Sequence, residues 1–265
     1  MSHGPLPPDD RSFQPLRGAR PPQAEPAYRE RLRRSFAGGS LEPRLERAPP
    51  RAMPWAAAAA AAAGLVAALV LNAGPRWTLQ GVTGSGTLSV DGRELAAHDL
   101  GAIRTAVRPG ARIRTSADVQ VDLRLPGVLA LQIAPGSEAV IPTAPSRWFP
   151  RRARGGVTAG EVRFVTAARF RGATLSLTTP EAGVEVSGTT FAVIRDSLSS
   201  CVCVLEGEVA MSAAGAVERV EAGTRRTLYR DGRPPLLEPI RPMETMKLTM
   251  LRDQAAQAPE AGPRE

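Results

Sequence analysis

The run from Trp55 to Leu71, WAAAAAAAAGLVAALVL, carries no charge, with Arg51 ahead of it and Arg76 behind it. A helix of that length covers roughly 26 Å, close to the thickness of a hydrocarbon core. Pro54 and Asn72–Ala73 extend the segment to 54–73. Alanine is only mildly apolar, so the insertion energy rests on Leu65, Val66, Leu69, Val70 and Leu71. An Ala-rich soluble helix is the alternative, because alanine is also the best helix former. Such a helix needs polar residues at helical spacing on its wet face, and this run has none. It therefore reads as a single-pass transmembrane helix. Within it Ala60, Gly64 and Ala68 recur every four residues, a spacing that lets two helices approach closely.

Arg44, Arg47 and Arg51 precede the span, and the positive-inside rule puts the N-terminus in the cytoplasm. The region ahead of the apolar run is too long for a cleavable signal, and Leu71–Ala73 lacks a small-x-small cleavage pattern. A retained anchor is expected. The tail 1–53 is rich in Arg and Pro and poor in apolar residues, the composition of a disordered segment. One stretch departs from this. In AYRERLRRSFAGG, Tyr28, Leu32 and Phe36 fall at i, i+4 and i+8, which predicts a helix over 27–37 that Gly38 and Gly39 end. Its apolar face suits a cytoplasmic partner or the membrane surface. Arg29, Arg31, Arg33 and Arg34 suit an acidic partner, lipid headgroups or plain solvent.

From Gly81 the pattern changes to period two. TLSV-DG-RELA reads as a hairpin, with Asp91-Gly92 as a favoured two-residue turn. In VQVDLRL, Val119, Val121, Leu123 and Leu125 share one face while Gln120, Asp122 and Arg124 share the other. VLALQI alternates Leu129, Leu131 and Ile133. Further short strands follow at EAVI, 161–165, 173–179, 183–186, 190–195, 201–207, 208–212, 216–222 and 224–230. Gly and Pro punctuate them regularly, which indicates an all-β sandwich or solenoid over 81–240. The tail 241–265 holds one short helix, with Met243, Met246 and Met250 at i, i+3 and i+7; docking onto the β domain is its plain reading.

SRWFPRRARGG (146–156) reads as a basic loop. Arg147, Trp148, Phe149, Arg151, Arg152 and Arg154 there suit a membrane lipid surface or an anionic polymer, against the plainer reading of a solvated loop. Net charge is +8, yet Lys247 is the only lysine and aromatics are 4% of the chain. An Arg-rich, aromatic-poor composition gives no platform for nucleic acid, and none is expected as a partner. Cys201 and Cys203 share one strand face and are expected as semi-buried strand residues. His3 and His98 are the only histidines, so metal ligands are scarce. No acid, base and nucleophile occur together, and GVTGSGTLS lacks the lysine of a phosphate-binding loop. Neither enzyme activity, cofactor, metal nor catalytic site is expected.

Residues 109–141, PGARIRTSADVQVDLRLPGVLALQIAPGSEAVI, resemble the first half of the FecR domain, with its G-x-x-I-R-T segment and its PGS ahead of a strand. TTPEAGVEVSGTTFAVIRD (178–196), VLEGEVAMS (204–212) and AGTRRTLY (222–229) extend the resemblance over roughly 81–232. It implies an iron-dicitrate-sensor-type regulator of the bacterial inner membrane. In that family a periplasmic β domain receives a signal, and a cytoplasmic segment controls an extracytoplasmic-function sigma factor. The resemblance implies an envelope protein or glycan partner outside and a possible sigma factor at the cytoplasmic tail. The cytoplasmic helical region is here reduced to 27–37. A structural envelope protein that holds an anionic cell-wall or lipid component, without a sigma-factor role, is the alternative. In the motifs, Gly207 is expected to supply a positive φ, and Gly188 to let Phe191 reach the core.

Overall fold

The computed structural model describes residues 25–38, 63–64, 75–146 and 151–257. The chain divides into two compact units, Met1–Ala60 and Ala61–Glu265. The span expected at 54–73 lies outside the described residues, apart from Ala63 and Gly64, which are helical. No helix among the described residues is long and apolar enough to cross a membrane.

In the first unit, α1 (Pro26–Ala37) starts with a proline at its first turn, where the missing N–H has no helical partner to lose. Gly38 caps its C-terminus at φ −81°, so the helix ends without using the left-handed freedom of glycine. None of its residues is buried.

The second unit is mainly β, as the alternation predicts. One sheet runs β1 (Thr78–Thr83), β5 (Gln120–Leu125), β6 (Leu129–Ile133), β8 (Arg152–Thr166), β11 (Thr190–Arg195), β12 (Ser199–Glu206), β15 (Thr224–Tyr229) and β16 (Leu236–Pro239). The other runs β3 (Arg93–Ala96), β2 (Thr87–Val90), β4 (Arg112–Thr115), β7 (Glu138–Val140), β8 again, β9 (Thr174–Thr178), β10 (Gly183–Val186), β13 (Glu208–Ala213) and β14 (Ala216–Glu221). All pairings are antiparallel except β8 with β9.

Strand β8 belongs to both sheets. Its first half pairs with β7 and β9, and its second half with β6 and β11. The crossing point is Gly160, at φ +77°. A Cβ there would lie 2.5 Å from the Ser137 Cα, so only glycine fits the bend. Ser137 locks it, its Oγ accepting from the Glu161 N–H at 2.9 Å.

From Arg152 onward the basic segment expected as a loop is strand, because β8 begins there. Ala153 and Val157 are buried while Arg152 and Arg154 are exposed, so the alternation is present in the sequence. Gly155-Gly156 disguised it as a turn. In fact these glycines let β7 come close, since a Cβ on Gly155 would meet the Val140 carbonyl at 2.9 Å.

The inner faces of both sheets merge into one apolar core, with Leu88, Ile113, Val121, Leu123, Val162 and Phe191 all at most 1% exposed. Phe191 stacks on Phe164, ring centroids 4.9 Å apart. The core reaches back before Gly81: Trp77 is buried and its indole N–H donates to the Pro142 carbonyl at 2.7 Å. Asp91-Gly92 forms the expected hairpin turn, both residues at positive φ. A short helix, α2 (Leu100–Ala106), interrupts the strands where none was predicted. Asp99 caps it by accepting from the Ala102 N–H, and Ile103 plugs the core.

The C-terminal helix α3 (Pro242–Gln257) lies across the outer face of the first sheet. Leu248 is buried against Ala192, Cys201 and Cys203, and Leu251 against Ala130 and Val165. The strands under it are accordingly covered on both faces. This explains why β6 is buried at every position instead of alternating. Met243, Met246 and Met250, the helical stripe visible in the sequence, point away from the sheet and are exposed.

Candidate functional site

Of the basic segment, Arg147, Trp148 and Phe149 lie outside the described residues. Arg151 turns back onto the domain, its guanidinium donating to the Arg169 carbonyl at 2.7 Å and the Arg171 carbonyl at 2.8 Å. Arg152 and Arg154 stand exposed on one face of β8, two residues apart, as a pair of parallel cations. The segment thus offers two free-standing arginines on a rigid strand and one used as a brace. Much of the remaining basic charge of the domain is spent internally. Arg112 and Arg114 both grip Glu138, Arg163 grips Glu161, and Arg195 grips Glu181.

On α1, Tyr28, Leu32 and Phe36 are exposed, 52%, 37% and 71% respectively. Their one-face spacing is realised, and no residue of the helix is buried. His98 is exposed in the turn after β3, on the sheet that does not carry Cys201. Among the described residues no cluster of three or more His, Cys, Asp or Glu could hold a metal ion.

The densest polar arrangement, which sequence reading passed over, lies beneath α3. Glu161 accepts from Arg163 Nε at 2.6 Å and from Lys247 Nζ, on the helix, at 2.9 Å. Burial pushes the Glu161 carboxyl up, and these two cations outweigh it, leaving it below the ordinary carboxylate value. Arg163 also donates to Gln132, whose amide donates to Asp122 at 2.8 Å. Farther along the sheet, on β15, Arg225 donates to Glu244 at 2.6 Å and sits 3.3 Å from Glu238. Beside it, Cys201 and Cys203 bring their sulfurs to 3.7 Å and are nearly fully buried, more so than the semi-buried placement expected.

Helix α3 is thus held by two leucines and by ion pairs from Glu244, Lys247 and Arg252. Its last turn is tied to β5 by Arg124, which donates to the Ala255 carbonyl. Two buried leucines contribute roughly 3–6 kcal/mol at most, so the helix is a natural unit of sub-global opening. The signal available in the sequence was the doubly apolar character of VLALQI and SSCVCVL, which demands a second covering layer.

The motif glycines are placed unequally. Gly207 takes φ +82°, and a Cβ there would lie 2.5 Å from the Gly188 carbonyl. Gly188 itself has open space around its Cα and no positive φ. The two segments 178–196 and 204–212 therefore cross at this point, with Gly207 passing over Gly188, and Phe191 runs from there into the core. Residues 111–210 match the family model described as FecR protein. The chain carries a FecR domain.

The matched region holds the Gly160 crossing, the Gly207–Gly188 contact and the Phe164–Phe191 stack. Two crystal structures of a "putative anti-sigma factor" from Parabacteroides distasonis ATCC 8503 are also similar. They share 19% and 18% identity with this chain, at TM-scores of 0.41 and 0.43, over 52% of this chain and 62% of theirs. The chain thus covers less than two thirds of those structures. No curated protein matches it.

Proposed function

We propose that this chain is a membrane-anchored envelope regulator of the bacterial inner membrane. Its FecR domain binds a protein or glycan partner on the periplasmic side, and its cytoplasmic tail engages an extracytoplasmic-function sigma factor. It is assigned no reaction. The observation that carries the proposal is the FecR match over 111–210, joined to a separate N-terminal unit in which α1 leaves Tyr28, Leu32 and Phe36 unburied. An amphipathic helix with its apolar residues exposed is suited to seat in a groove of a partner protein.

The test combines topology with partner capture. External protease on spheroplasts is expected to degrade the FecR domain and spare the tail; protection of the domain would refute the orientation. Sigma factor is expected to copurify with the solubilised full chain and to be lost on joint replacement of Tyr28, Leu32 and Phe36 by Ala. Since these residues support no core, a folding defect would not account for that loss. Unchanged copurification would remove α1 as the contact.

The alternative, a structural protein that holds an anionic envelope component, is supported by the exposed pair Arg152 and Arg154 on β8. Retention of the isolated domain by anionic vesicles, abolished by Arg152→Ala with Arg154→Ala, would favour it.

A further inference from the structure

Cys201 and Cys203 occupy the same face of β12, with sulfurs 3.7 Å apart and no disulfide between them. Their cross-strand neighbours on β15 are Thr227, opposite Cys201, and Arg225, opposite Cys203. A cysteine pair that served only to fill an apolar core would have no need of a guanidinium and a hydroxyl alongside. The lid over this quartet is α3, through Leu248 and Glu244. A metal is not the occupant these groups favour, for among the described residues no third ligand joins the two sulfurs.

We propose that Cys201 and Cys203 are a peroxide-reactive dithiol that closes to a reversible intrastrand disulfide when α3 lifts. The chemistry balances with hydrogen peroxide as oxidant. The Cys201 thiolate attacks one peroxide oxygen, the O–O bond breaks, and Cys201 becomes a sulfenic acid while hydroxide leaves and takes up the thiol proton as water. The Cys203 sulfur then attacks the sulfenic sulfur, forming S–S and expelling a second water. Two thiols are oxidised and one peroxide is reduced to two waters.

Cys201 is the attacking sulfur because three groups stabilise its thiolate. The Cys203 S–H donates to it and outweighs burial, and Thr227 and the Arg225 charge add to this, holding it below the ordinary thiol value. Cys203 is correspondingly pushed up by the same hydrogen bond and by burial, which keeps it protonated until the sulfenic acid forms. Closing the bond shortens the sulfur separation from 3.7 Å to about 2.05 Å. Residues i and i+2 of a strand lie about 6.6 Å apart, near the upper limit for a bridge, so β12 must crimp under Leu248. A bond formed that way is readily reduced again. The oxidised pair also unseats α3 and its outward Met243, Met246 and Met250.

The experiment treats the purified full chain with hydrogen peroxide, quenches it, and maps thiols by alkylation and mass spectrometry. The tryptic peptide 196–219 is expected to lose two hydrogens and both alkylation sites, and dithiothreitol is expected to restore them. Peptide mapping separates this from oxygen addition at the exposed methionines, which lie in other peptides. Cys203→Ser is expected to leave a Cys201 sulfenic acid that dimedone traps. Leu248→Ala is expected to speed the reaction about tenfold or more, since deleting a buried leucine loosens the lid by more than one tenfold step. Two thiols still alkylatable after treatment, higher sulfur oxides, or a disulfide between two chains would overturn the proposal. An unchanged rate in Leu248→Ala would overturn the lid.

Discussion

Glu244, on the C-terminal helix, accepts from the Arg225 guanidinium at 2.6 Å, and both side chains are about nine-tenths buried. The pair clamps α3 to the sheet at the point where the cysteines lie. Breaking a buried ion pair from one side leaves an uncompensated charge, which costs about 3–5 kcal/mol. Glu238, 3.3 Å from Arg225, offsets part of that. Glu244→Ala is therefore expected to lower stability by about 3 kcal/mol. Hydrogen exchange should show α3 amides losing protection before those of β11 and β12. Uniform loss across the domain would mean that the pair stabilises the whole sandwich instead.

Gly207 and Gly223 separate backbone strain from steric clash. Both have φ near +80°, but a Cβ on Gly223 meets nothing within 4 Å, whereas on Gly207 it meets the Gly188 carbonyl at 2.5 Å. Gly223→Ala is expected to cost about 1–2 kcal/mol, the left-handed penalty alone. Gly207→Ala should cost clearly more, since the crossing of the two FecR segments must open. Denaturant midpoints measure the difference, and equal costs would show that the crossing yields freely.

Ala214 sits at φ +47° in the turn between β13 and β14, followed by Gly215 at +83°. The Asp91-Gly92 hairpin has the same geometry with a residue suited to it. Ala214→Asn is expected to stabilise the domain by about 0.5–1 kcal/mol, seen as a rise in Tm.

Acid sensitivity follows from Glu138. Burial pushes its carboxyl up, but the guanidiniums of Arg114 at 2.6 Å and Arg112 at 2.7 Å outweigh that and leave it below the ordinary value. A carboxyl depressed in the folded state contributes stability above its unfolded value, about 4.3, and loses it as pH falls through the lower folded value. Unfolding midpoints should fall below about pH 4.3, and Glu138→Gln should flatten that part of the profile. An unaltered acid limb would place the sensitivity at Glu161 or elsewhere.

The two-residue alternation of VQVDLRL, the Asp91-Gly92 turn and the FecR segments at 109–141 and 178–212 made the β class and the family legible from the chain alone. Those signals are local: a period of two reports one buried face, and a turn reports its own dihedrals. The basic segment misled because Gly155-Gly156 has turn-like composition, while its role depends on β7, which is distant in sequence.

The apolar face of α1 was visible as spacing, and so was the methionine stripe of α3. Which side of a helix is covered, however, is set by its neighbours. Leu248 and Leu251 face inward because Ala192, Ala130 and the two cysteines leave room for them, and the methionines are left in solvent. The sequence by itself determined the β class, many of the strands with their apolar faces, and the Asp91-Gly92 turn. Only the tertiary structure decided that β8 serves both sheets, that a helix seals one of them, and that Arg225, Glu244, Cys201 and Cys203 meet. Those meetings join residues from three separate elements, and no periodicity within any one of them encodes the encounter.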